Sequence, residues 1–166
     1  MNYLRTDLVQ TNATMNQLRN AIYHLQRFMN RNGITEVRTR LRRMGKNIAH
    51  TYLKSWKPID KVDLANVKDV LATIYKNVLD SSVSIELDSL NRKIIVQDND
   101  CALCKYHFSD IDVAGCEIIG SMVAEFVKII NSNGNGFQIE IEEIKESKVM
   151  GHSSCIQIYT FNEGGK

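Results

Sequence analysis

An α+β fold, ordered αααββαββ, is what this sequence predicts, and three observations point to it. Apolar residues recur at spacings of three and four through the first half of the chain, then switch near Asp80-Ser81 to alternation. The alternating segments come as two pairs, which reads as two antiparallel hairpins. One further helical stretch separates the pairs, so helices pack on an antiparallel sheet.

Met15, Leu18, Ile22, Leu25 and Met29 form one face of a first helix over about Thr14 to Arg31. Asn32-Gly33 ends it, because both residues tolerate positive φ. Thr35 caps a second helix with an apolar face of Val37, Leu41, Met44, Ile48 and Tyr52, and Lys57-Pro58 stops it. Asp63 caps a third, with Leu64, Val67, Leu71, Ile74 and Val78 facing inward. Val83, Ile85 and Leu87 alternate with Ser84, Glu86 and Asp88 on a half-buried strand, and Lys93-Ile94-Ile95-Val96 returns after a polar turn. A fourth helix spans about Asp112 to Asn131, with Cys116, Ile119, Val123, Phe126 and Ile130 inward. Asn133-Gly134-Asn135-Gly136 turns into a strand carrying Phe137, Ile139 and Ile141, and Gly151-His152 turns into a last strand marked by Ile156 and Ile158.

The 166 residues suit one domain, with residues 1–57 as an N-terminal helical hairpin and residues 58–166 as the α+β core. A single proline and no Gly/Ser-rich linker leave nothing to mark a second domain. The opening MNYLRTDLVQ lacks the apolar core of a signal peptide, and no run nears the ~18 apolar residues of a spanning helix. The expectation is a cytoplasmic protein with reduced thiols. A net charge of +2 does not argue for nucleic acid, and no aromatics interleave the basic cluster Arg38, Arg40, Arg42, Arg43 and Lys46. That cluster reads as a solvated helix flank or as a site for phosphate or an acidic partner.

Asp100 to Cys116, DCALCKYHFSDIDVAGC, holds three of the four cysteines. Cys101-x-x-Cys104 brings two sulfurs within reach of one ion, and Cys116 falls at the start of the fourth helix, where the dipole favours a thiolate. Cys155 opens the last strand. Four thiolates would close a tetrahedral structural zinc site. Two other readings stand beside it: a redox pair at Cys101 and Cys104, and thiols that serve as small core residues. No glycine-rich phosphate loop and no pair of carboxylates at acid–base spacing is present, so catalysis is not expected.

Asp100-Cys101-Ala102-Leu103-Cys104, Gly115-Cys116-Glu117-Ile118-Ile119-Gly120 and Gly151-His152-Ser153-Ser154-Cys155 together resemble the vinyl-reductase-type, or hydrocarbon-binding, domain. That domain is related in fold to subunits of TRAPP vesicle-tethering complexes, whose Met-Gly-x-Asn-Ile helix motif the stretch Arg42 to Leu53, RRMGKNIAHTYL, also resembles. The resemblance covers about Thr35 to Phe161. It implies zinc at Cys116 and Cys155. A further usual cysteine position is Ser147 here, so Cys101 and Cys104 complete the set, with His152 or Glu143 as substitutes. It also implies a hydrophobic small-molecule ligand in a pocket lined by Leu71, Ile74, Ile119, Met122, Val123 and Phe126, residues that would otherwise simply fill the core. The alternatives are a TRAPP-like assembly subunit acting as a homodimer or heteromer, and a thiol redox protein.

Overall fold

The computed structural model describes residues 5–56, 59–132 and 136–163. The stop at Lys57-Pro58 and the turn at Asn133-Gly134-Asn135 lie outside them. Four helices run over Arg5–Arg31 (α1), Val37–Tyr52 (α2), Val67–Leu79 (α3) and Cys116–Ile130 (α4). Four strands run over Val83–Asp88 (β1), Lys93–Asp98 (β2), Phe137–Glu146 (β3) and Cys155–Glu163 (β4). The α+β class and the element order are those the sequence predicts.

The strands form one antiparallel sheet in the order β1-β2-β4-β3. Each hairpin is a neighbouring pair, and the two are joined by β2 and β4, with Asp98 opposite Cys155 and Ile94 opposite Tyr159. Alternation puts Ile94, Val96, Ile139, Tyr159 and Phe161 on the buried face, and Glu86, Gln97 and Glu140 on the other. A bulge after Ile141 shifts the β3 register, so Glu143 pairs with Ile158.

α4 is the central helix, and it is buried from Cys116 through Val127. One side lies on the sheet and the other receives α2. The α2 stripe that meets it is Val37, Leu41, Gly45 and Ala49, rotated from the expected face, so that Tyr52 is exposed. Small residues explain the rotation: a Cβ at Gly45 would lie 2.1 Å from the Ile118 carbonyl oxygen, so the backbones cross in near contact. α3 covers β1, and Tyr75 reaches across to Gln157 at 2.7 Å and Tyr159 at 2.9 Å.

The starts of α3 and α4 moved for local reasons, while α1 ends at Arg31 as expected. Asp63 accepts from the backbone N–H of Ala65 at 3.0 Å, capping a turn that precedes α3, so the helix itself starts at Val67. The segment from Asp112 to Gly115 is irregular and α4 starts at Cys116 itself. Gly33 takes φ +69° after α1, and Ile34 N–H closes back on Met29 C=O at 3.0 Å. No helix among the described residues is long and apolar enough to cross a membrane.

A four-cysteine candidate metal centre

Three separate segments deliver the four sulfurs. The loop after β2 carries Cys101 and Cys104, in a turn closed by Cys104 N–H to Cys101 C=O at 3.3 Å. Cys116 is the first residue of α4, and Cys155 is the first residue of β4, directly across the sheet from the end of β2. The four Sγ atoms all lie within 4.8 Å of one another, and all four cysteines are buried and free. Cys104 Sγ and Cys116 Sγ are 3.4 Å apart. Zn–S bonds of about 2.3 Å span a tetrahedron with edges of about 3.8 Å, so this donor set fits a metal in size, number and chemistry.

The electrostatics point the same way. Hydrogen bonding with Cys101, Cys116 and Cys155 holds the pKa of Cys104 well below the ordinary thiol value. Cys101 is pushed well up by its hydrogen bond to Cys104, and Cys116 by its bonds to Cys101 and Cys104. Four crowded sulfurs thus favour one thiolate and oppose a second, an opposition that a divalent cation removes. The helix start would predict a thiolate at Cys116, but hydrogen bonding to Cys101 and Cys104 pushes its pKa up.

Around the sulfurs stand groups of a second layer. Ser147, at the position where the family resemblance expects another cysteine, is buried with its Oγ 3.8 Å from Cys116 Sγ and 3.7 Å from Cys155 Sγ. Tyr23 of α1 donates to Leu103 C=O at 2.7 Å and approaches Cys104 Sγ at 3.5 Å; burial first, then the Cys104 charge, pushes its phenol pKa far up. The buried Asp98 accepts from Ser81 Oγ at 2.6 Å and from Asp100 N–H at 3.0 Å, and burial raises its pKa. Phe108 N–H and the His107 ring both reach Val149 C=O, which ties the cysteine loop to the short helical turn Lys148–Met150.

The two substitute ligands stay apart. His152 and Glu143 are exposed and do not join the sulfurs: the turn turns His152 outward, and the bulge sets Glu143 on the outer face beside Ile158. Leu71, Ile74, Ile119, Met122, Val123 and Phe126 are all buried in the core, and the two clefts that follow are lined by other residues. One cleft, of about 590 Å³, lies where α2, α4 and β3 meet, with Arg43, Lys46 and Glu140 at its walls. Another, of about 500 Å³, runs between α1 and α2 over Leu25, Phe28, Met29, Ile34 and Met44. Part of the basic cluster is already paired: Arg38 at 2.9 Å and Arg42 at 2.7 Å both grip Glu117, a carboxylate buried in the first turn of α4, and Arg40 lies 4.0 Å from Glu36.

Sequence reasoning missed Arg19, Tyr23 and Arg27, which line one side of α1 and reach this loop. Their spacing of four is the only signal the sequence offers, and their partners at 102, 103 and 110 lie some eighty residues away.

Neither the family models nor the curated proteins give a match to this chain. Among solved structures, trafficking protein particle complex subunit 3 from Naegleria fowleri, covalently bound to palmitic acid, matches with a TM-score of 0.69 at 12% sequence identity. The match covers 93% of this chain and 99% of that one, so the fold is TRAPP-subunit-like along nearly its whole length.

Proposed function

We propose that this chain is a binding and assembly domain of TRAPP-like fold whose second half is fastened by a structural zinc held by Cys101, Cys104, Cys116 and Cys155. The observation that carries the reading is the meeting of four buried sulfurs from three segments within 4.8 Å. Bound there, the metal would tie the cysteine loop, the start of α4 and the start of β4 together. Its role is structural because all four positions are filled by protein and none is left for a substrate. The redox reading is disfavoured by burial, since thiol exchange needs an accessible sulfur.

Assembly is the function that the fold supports best. The neighbour belongs to a multi-subunit complex, and α1 exposes Leu18, Leu25 and Phe28. A homodimer through this helical side is the simplest form. The hydrocarbon-binding alternative draws on the palmitic acid of the neighbour and on the vinyl-reductase-type motifs. It faces two obstacles here: the six expected lining residues are packed, and every cysteine of the chain is in the metal set, so an acyl thioester would remove a ligand.

Elemental analysis of the purified chain tests the metal. One zinc per chain is expected, with four thiols that react slowly until a chelator is added. A metal-free protein that takes up no zinc overturns the reading. Sedimentation at micromolar concentration tests assembly, and a strict monomer that binds a hydrophobic ligand would favour the alternative.

A further inference from the structure

α1 is anchored to the cysteine loop rather than to its helical neighbours. Among the described residues, every side-chain hydrogen bond that α1 makes beyond its own helix goes to residues 102–110. Arg19 Nε donates to Ala102 C=O at 2.6 Å, and Tyr23 Oη to Leu103 C=O at 2.7 Å. Arg27 grips Asp110 through two bonds, at 2.5 and 2.8 Å, and lies 5.1 Å from the centre of the Phe108 ring. The Tyr23 and Phe108 rings pack at 5.0 Å, and a Cβ at Gly115 would lie 2.7 Å from the Tyr23 hydroxyl. These three side chains sit at successive steps of four, one above the other along a single side of the helix.

Two of the anchor points, Ala102 and Leu103, lie between Cys101 and Cys104. They have no regular secondary structure to hold them. Their carbonyls point at α1 because the flanking sulfurs are drawn into the four-cysteine centre. Thiols alone bond weakly to one another, so beyond the one turn hydrogen bond from Cys104 N–H to Cys101 C=O, a metal on the flanking sulfurs would add order to this short span.

We propose that metal loading of the four-cysteine centre latches α1: when the site is filled the helix is docked, and when it empties the helix is released. The inference rests on the zinc reading above. Release would uncover Ile22, Tyr23 and Met29, now buried, beside the already exposed Leu18, Leu25 and Phe28. The helix would then present a continuous apolar surface in place of a scattered one.

Hydrogen–deuterium exchange on the full chain tests this, with zinc bound and after its removal by chelator. On zinc removal, exchange in residues 14–31 is expected to speed up about tenfold more than exchange in α2 and β3, and equal acceleration of all three overturns the latch. Unchanged exchange in α1 alongside measured zinc loss overturns the latch. If chelation unfolds the whole chain, the double variant Tyr23→Phe, Arg27→Ala decides, because it leaves every sulfur in place. It is expected to loosen α1 and to weaken zinc binding by about fivefold in competition with a chromophoric chelator, since coupling between sites is reciprocal. A variant with a loosened α1 and wild-type zinc affinity overturns the proposal. Failure to bind zinc at all sinks the metal reading itself, whereas bound zinc with an indifferent α1 sinks only the latch.

Discussion

Ser147 shows how the candidate centre can be closed without a fifth sulfur. Its hydroxyl lies against Cys116 and Cys155 and accepts the Val149 N–H at 3.3 Å, a supporting position rather than a ligand's. Ser147→Cys is therefore expected to leave the stoichiometry at one zinc per chain, whereas Cys155→Ser is expected to abolish tight binding and to be roughly 5 kcal/mol or more less stable than the zinc-loaded parent. Elemental analysis and thermal melts of both variants check the pair. Asp98 gives a second test at this scale. Its pKa is raised in the fold, so it favours folding at low pH, and that contribution is lost as the pH rises from the ordinary carboxylate range through the raised value. Asp98→Asn removes the titration, so its melting temperature relative to the parent is expected to climb between pH 4 and pH 8.

At the scale of elements, the contact between α2 and α4 decides most. Gly45→Ala would place a methyl 2.1 Å from the Ile118 carbonyl oxygen, a clash with backbone that no rotamer relieves. A loss of about 3 kcal/mol is expected in denaturant unfolding. Gly120→Ala, which meets the tip of Ile141 at 2.8 Å, is expected to cost less, because a side chain can move. Helix and strand existence was legible in the sequence because the periods are clean. The faces were less so. Gly45 and Ala49 carry the α2 contact but add nothing to an apolar pattern, and α1 turned because Tyr23 and the polar Gln26 are buried with Ile22. The cysteines were legible because their chemistry is rare. The partners of Arg19 and Tyr23 were not, because they are backbone carbonyls, which leave no mark on residue identity. A packed core and a lined pocket share one apolar pattern, so Leu71 or Phe126 fits either until coordinates place it.

For the whole molecule, metal and protons compete for the same sulfurs. Cys101 and Cys116 hold their protons more tightly than ordinary thiols, and binding must expel them, so apparent zinc affinity is expected to rise with pH. Isothermal titration in buffers of differing ionisation enthalpy measures the protons released, and a release of none would contradict thiolate ligation. Because the site draws on the loop, α4 and β4 together, zinc removal is expected to lower the melting temperature of the chain as well as to release α1.

The strand order carries a last consequence, for biosynthesis. β4 is the fourth strand to leave the ribosome yet pairs on both sides, and it supplies the final sulfur. A nascent chain halted before Cys155 would have a β2 edge open to neighbouring polypeptides and only three of its four cysteines synthesised. Translation must therefore run through the last strand before that edge is covered, and pausing there is when such a chain would most need a chaperone.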